Sequence, residues 1–224
     1  YQNTSYSEDA TAKANNNSVT VSGSTVYGDV VGGYAKVSLY KNEISISALN
    51  DESEGQYQNT SYSEDATAKA NNNSVTVSGN STVKDDIYGG EAIAFGAQTA
   101  TAKANGNSVT VSGSTVNDDS YDIYGGYAYV EGNQTGAAEA SGNSVTVSGN
   151  STVEDDIYGG RASASGAQTA TAKANGNSVT VSGFTVNGDI FGSDAFATGA
   201  QTATAEANNN NVTISNGSTV NGDI

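Results

Sequence analysis

Six aspartates stand directly before an aliphatic residue in a recurring segment: Asp29, Asp86, Asp122, Asp156, Asp189 and Asp223. In two copies a second aspartate precedes them, in Asp85-Asp86-Ile87-Tyr88-Gly89-Gly90 and Asp155-Asp156-Ile157-Tyr158-Gly159-Gly160. Carboxylates beside glycines can do one of two things. They can accept hydrogen bonds from backbone N–H groups at a corner, as in Asx turns, or they can share a Ca2+ ion that relieves their repulsion. The motif echoes part of the calcium-binding nonapeptide roll. Its spacing does not fit, because these aspartates recur roughly once per 34 residues. The corner role is preferred, and calcium is the one cofactor this chemistry admits.

An aromatic follows the aliphatic position at Tyr88, Tyr124, Tyr158 and Phe191, with Val31 in the first copy. Rings held in register stack and stiffen one side of an array. They could instead form a strip for sugar rings or a partner's apolar surface. Stacking is preferred, and Tyr124, Tyr127 and Tyr129 form the best candidate for a sticky patch. The rows Thr99–Thr101, Thr169–Thr171 and Thr202–Thr204 raise ordered water and ice as a further ligand, although Lys103 and Lys173 interrupt them.

Catalysis is not expected. Nucleophilic and general-base schemes draw on His, Cys or a unique polar cluster in a cleft, and the chain has neither His nor Cys. The carboxylate pairs Glu8-Asp9 and Asp118-Asp119 lie in repeats or turns. Arg161 is the single arginine, too few basic groups for a sugar-cleaving groove. No catalytic residue and no metal ligand is assigned, so the chain reads as a non-enzyme. The sequons Asn80-Ser81-Thr82 and Asn150-Ser151-Thr152 are what an Asn- and Ser-rich chain produces by chance.

Composition narrows the class further. The 224 residues carry 24 acidic and 8 basic side chains, a net charge of −16, which leaves no basic patch for nucleic acid. No apolar run reaches the ~20 residues that span a bilayer as a helix. Pro, Trp and Met are absent, and leucine occurs only at Leu39 and Leu49, so Val, Ile and Ala must supply a thin core.

These residues are positioned by repetition. "SVTVSG" stands at Ser18–Gly23, Ser74–Gly79, Ser108–Gly113, Ser144–Gly149 and Ser178–Gly183, with "NVTISNG" at Asn211–Gly217. From Val75 the spacings are 34, 36, 34 and 33 residues. The opening gap of 56 is read as holding a diverged copy, "NEISIS", at Asn42–Ser47. Tyr1–Gly23 is identical to Tyr57–Gly79, as tandem duplication would leave it. Every segment of the unit alternates with period 2, so each is a candidate strand. Val109 and Val111 face one way and Thr110 the other, while Ala100, Ala102 and Ala104 share a face. Val116 and Ile123 complete the apolar set.

An all-β parallel solenoid (β-helix) of tandem ~34-residue repeats is therefore predicted over residues 1–224, with 36–61 irregular. Like side chains then stack on like, coil after coil. At ~3.3 Å per residue a 34-residue coil is wide. Two coils of about 17 residues per repeat are therefore slightly preferred, at the cost of laying valine coils on alanine ones. The chain begins and stops inside a repeat, so it reads as a segment of a longer array.

The repeat consensus "ANGNSVTVSGSTVNGDI" followed by "YGG", a composite of the copies at 104–126 and 174–190, resembles repeats in the passenger regions of bacterial autotransporter and haemagglutinin-like surface proteins. The resemblance implies a secreted, surface-anchored stalk, adhesin or fibre, with export signal and anchor elsewhere, and it implies no catalytic residues. The expected role is a structural and adhesive segment of a bacterial surface fibre. Its partners would be copies of itself, end to end or side by side, and a surface glycan or protein. The alternative is a solenoid that binds calcium, glycan or ice.

Overall fold

The computed structural model describes residues 5–38, 61–96, 98–116, 121–132, 134–199 and 201–224. Its regular structure is entirely β, with no helix among the described residues. One coil is traced by Thr99–Lys103, Ser108–Ser112, Thr115–Val116, Ile123–Tyr124 and Tyr127–Gly132. Each strand pairs in parallel with its own counterpart one repeat away, giving three sheets six strands deep and two sheets five deep. The predicted solenoid of ~34-residue repeats is the fold observed.

The register is copy on copy. Val109 pairs with Val75 on one side and Val145 on the other, and Thr115 pairs likewise with Thr82 and Thr152. Between strands the backbone keeps pairing, as where Ala104 N–H donates to the Glu139 carbonyl at 2.8 Å. Corners are turned by residues with positive φ, such as Gly106 at 67° where an earlier coil has Asn72 at 56°. Only Gly, and at some cost Asn, enters that region readily.

One point corrects the sequence reading. Each repeat makes one coil, not two. Thr101 pairs with Thr67 and Ala137, residues 34 and 36 positions away. The length estimate went wrong because it laid 34 residues in long straight strands, whereas five short strands bend around one perimeter. Alanine and valine segments accordingly sit side by side in every coil and never stack on each other.

Two further readings need adjusting. Residues 39–60, including the Asn42–Ser47 copy, lie outside the described residues. Ser18–Ser22 nonetheless pairs directly with Ser74–Ser78, so no rung intervenes between them. Lys36 and Val37 belong to the regular strand Tyr34–Ser38, and Ser61 opens the strand Ser61–Lys69. The regular array therefore reaches further into the 36–61 stretch than the sequence suggested.

The core has two lobes. Alanines of the Thr99–Lys103 type of strand face the inward Ala and Val of the Tyr127–Gly132 type, for instance Ala100 and Ala102 with Ala128 and Val130. Valines and isoleucines of the other three strands fill the second lobe, with Val111, Val116 and Ile123 at 0–1% exposure. Burial at ~25 cal/mol per Å2 of apolar surface drives the fold, and single methyl groups let the alanine lobe stay thin.

The in/out register can be tested directly. Val111→Asp buries a carboxylate with no partner between two coils and is expected to cost more than about 4 kcal/mol. Thr110→Asp, on the outer face, is expected to cost under about 1 kcal/mol. Chemical denaturation of the two variants checks this, and equal loss would contradict the register.

Candidate functional site

The recurring aspartates stand in one column at the Ile-Tyr corner, and four of them, Asp86, Asp122, Asp156 and Asp189, play the same part. Oδ1 of Asp86 accepts the backbone N–H of Asp122 at 2.7 Å, Asp156 serves Asp189 at 2.7 Å, and Asp189 serves Asp223 at 2.7 Å. The step from Asp122 to Asp156 is longer, at 3.3 Å. The expected acceptor role is thus found, with one change: the donor belongs to the next coil rather than to the aspartate's own turn.

The second carboxylate oxygen is taken by tyrosine. In the order Asp-Ile-Tyr the isoleucine points inward, so the flanking side chains share the outer side. The Tyr88 hydroxyl donates to Oδ2 of Asp86 at 2.6 Å, Tyr158 to Asp156 at 3.0 Å, and Tyr124 to Asp122. The rings stack as expected. Centroids of Tyr88–Tyr124, Tyr124–Tyr158 and Tyr158–Phe191 lie 5.0, 5.1 and 4.8 Å apart, within 11° of parallel. Burial, with help from the aspartate bond, raises the tyrosine hydroxyl pKa values and keeps them as donors.

Like charges in a column carry a cost. Asp29, Asp85 and Asp86 bring carboxylate oxygens within 4.8 Å of one another, as do Asp122, Asp155 and Asp156. Burial pushes the Asp122 carboxyl up to about 6, with Asp155, Asp156 and Asp86 adding to the rise against the Tyr124 hydrogen bond. Burial beside Asp29 and Asp86 holds the Glu91 carboxyl up at about 7. Burial and the neighbouring Asp85 and Asp86 likewise raise Asp29.

Sequence reasoning missed what lies beneath this corner. In the four inner coils the asparagine that closes the "NNN", "NGN" or "SGN" corner is buried, at 1% exposure for Asn73, Asn107, Asn143 and Asn177. Oδ1 of Asn107 accepts both the backbone N–H of Asn73, at 2.9 Å, and its Nδ2, at 3.0 Å. Asn107 in turn donates both to Asn143, at 2.8 and 3.1 Å. This amide ladder explains the paired glycines. A Cβ on Gly89 would stand 2.3 Å from the Gly125 carbonyl oxygen, and one on Gly90 would stand 2.6 Å from the Asn107 side chain. Neither glycine has a positive φ, so the "YGG" motif answers close approach rather than turn geometry.

One threonine column continues and the other does not: Thr99, Thr135, Thr169 and Thr202 stand in register after Asp65, whereas Ala137 interrupts the column of Thr101. Lys103 and Lys173 are held by Glu139 at 2.8 Å and Glu206 at 3.2 Å. The neighbouring valine sheet, by contrast, shows Ser, Thr and Ser outward in five coils running, ending with Asn211, Thr213 and Ser215. Of the carboxylate pairs, Glu8 and Asp9 pair in register with Glu64 and Asp65, and Asp118-Asp119 lies outside the described residues.

One sheet breaks the monotony. Its strands read YAKVS, EAIAF, YAYVEG, RASASG and DAFATG. Inward positions are Ala or Val, with Gly132 and Gly166 closing the inward set in two coils. Outward, one column runs Lys36, Ile93, Tyr129, Ser163 and Phe196, and its neighbour runs Tyr34, Glu91, Tyr127, Arg161 and Asp194. Tyr127 lies 5.4 Å from Tyr124 and 6.0 Å from Tyr88, and Tyr129 lies 5.5 Å from Phe95. The tyrosines singled out in the sequence therefore join two surfaces: Tyr124 the stacked corner, Tyr127 and Tyr129 the variable sheet.

Two outcomes follow. Asn107→Ala orphans both the backbone N–H and the Nδ2 donor of buried Asn73, and is expected to cost about 2–4 kcal/mol; Asn105→Ala, which removes one acceptor from Ser141, about 1 kcal/mol, both read by denaturant melts. The raised carboxyls set the pH dependence. Glu91 and Asp122 bind protons in the folded chain at a pH where the unfolded chain has lost them, so stability rises as pH falls from about 7 towards their ordinary range near 4. The melting temperature is expected to be higher at pH 5 than at pH 8, and Glu91→Gln is expected to shrink that difference.

No family model matches this chain, and comparison with curated proteins and with solved structures yields no match.

Proposed function

We propose that this chain is a length of shaft in a secreted bacterial surface fibre, structural and adhesive rather than catalytic. The carrying observation is the copy-on-copy register in all five sheets. A fold in which each unit contacts only its neighbours can be extended by adding units, without changing its cross-section or its core. The side-by-side lobes, the amide ladder and the stacked rings all run along the coil axis, so each adds stiffness in the direction in which a fibre carries load.

Other features support a place outside the cell and self-association. The support for a place outside the cell is that the repeat resembles surface-protein passengers. Separate copies join by the same parallel strand pairing that stacks coils within the chain. The charge of −16 opposes that contact, so association strengthens with salt.

Inserting ten further copies of residues 135–168 after residue 168 is expected to lengthen the particle by about 48 Å, at ~4.8 Å per coil. Small-angle scattering should show the longest dimension growing while the cross-sectional radius stays constant. A thicker or more globular particle would contradict the shaft.

A further inference from the structure

We propose that the outer face of the variable sheet is a recognition surface for another protein, one that offers apolar side chains ringed by lysines and arginines. It goes beyond the shaft role and does not depend on it.

The first ground is where the variation falls. Duplication copies a repeat whole, so differences between copies scatter unless a face is free to diverge or drawn to. Four of the five sheets keep nearly the same outward residues in each coil, down to the identical Thr-Val pair in all six copies of one corner. In the variable sheet the column through Tyr129 holds five different residues in five coils, while the inward residues beneath remain Ala and Val. The scaffold is held and its surface is changed.

The second ground is composition. Aromatic residues and arginine carry most of the energy at protein interfaces, because rigid rings bury large areas at little entropic cost. Ile93, Phe95, Tyr127, Tyr129 and Phe196 are gathered on this face, with Tyr34 at 50% and Phe196 at 61% exposure among the most exposed apolar side chains described. The outer face of the valine sheet holds no aromatic at all.

The irregularity also decides the class of partner. A crystalline lattice or a regular glycan presents the same group at each repeat and calls for the same side chain on every rung. Five unlike rungs suit a surface that is itself irregular, which is a folded protein. Charge sets its chemistry. Arg161 is committed to Asp194 at 3.1 Å and to the Tyr124 hydroxyl at 3.3 Å, and Lys36 lies 5.5 Å from the centre of the Phe95 ring. Glu131 is exposed, Glu91 is part-exposed, and the aspartate column borders the sheet across Gly89-Gly90. That rim attracts a basic partner and repels an acidic one. Five rungs of ~4.8 Å by three columns give roughly 400 Å2, about half of what one side of a stable complex buries. Binding to this length of chain is therefore expected in the micromolar range.

The test uses the folded chain against an array of purified extracellular proteins of known identity, with a glycan array alongside. Three variants accompany it: Tyr127→Ser with Tyr129→Ser and Phe196→Ser, Glu91→Gln with Glu131→Gln, and Thr110→Arg with Thr180→Arg on the valine sheet. Serine at 129 and 196 matches Ser163 of the coil between them, and unchanged melting confirms the fold. We expect at least one basic protein to bind the native chain. Its affinity should fall at least ~10-fold with the serine variant, become less salt-sensitive with the glutamine variant, and change less than ~2-fold with the arginine variant. The proposal is overturned if the serine variant binds as the native chain does, if the arginine variant loses binding instead, if only glycans or other copies of this chain bind, or if no protein on the array binds.

Discussion

Most residues in this copy-on-copy solenoid have their own kind as a neighbour, one strand spacing of ~4.8 Å above and below. That single constraint governs which side chains the array can hold. Apolar groups satisfy it by burial, and flat rings satisfy it by stacking. An amide satisfies it because it carries donors and an acceptor together, so asparagine can give to the coil on one side and take from the coil on the other. Buried asparagine is costly unless its amide is hydrogen-bonded; here each one continues a chain of hydrogen bonds, and no buried side-chain polar atom among the described residues lacks a partner.

Charge is what the constraint tolerates least, and the two charged columns deal with it differently. In the alanine sheet the lysine column is broken by Glu139 and Glu206, so that Lys103 and Lys173 meet an opposite charge in the next coil. The aspartate column is never broken. The carboxylates of Asp86, Asp122 and Asp156 are held by backbone N–H groups of the next coil and by tyrosine hydroxyls of their own, and burial, with the neighbouring carboxylates adding to it, raises the Asp122 pKa. The stacked rings depend on the same arrangement, because each hydroxyl that fixes a ring is bonded to that column.

What could be read in the sequence was what depends on neighbours along the chain. Alternation put Val109 and Val111 inside and Thr110 outside, because side-chain direction in a strand is local. The ring stack followed from one aromatic per repeat. The coil count was not legible, since it depends on which strand meets which, and period 2 is the same in one wide coil or two narrow ones. The amide ladder was hidden for a related reason. Asn107 sits in a segment with the composition of a turn, and only the approach of Gly90 from the far side of the coil makes it a buried residue. The variable sheet was visible letter by letter, but its meaning needed the register that places Lys36, Ile93, Tyr129, Ser163 and Phe196 in one column.

One coil per repeat is the claim on which everything else rests, and a single distance tests it. Thr76 and Thr213 both face outward on the valine sheet, four rungs apart through Thr110, Thr146 and Thr180. Spin labels on cysteines placed at these two positions, measured by pulsed electron resonance, are expected to lie about 19 Å apart, allowing for label length. Two coils per repeat would double the rungs between them, and a distance near 38 Å would contradict the structure described.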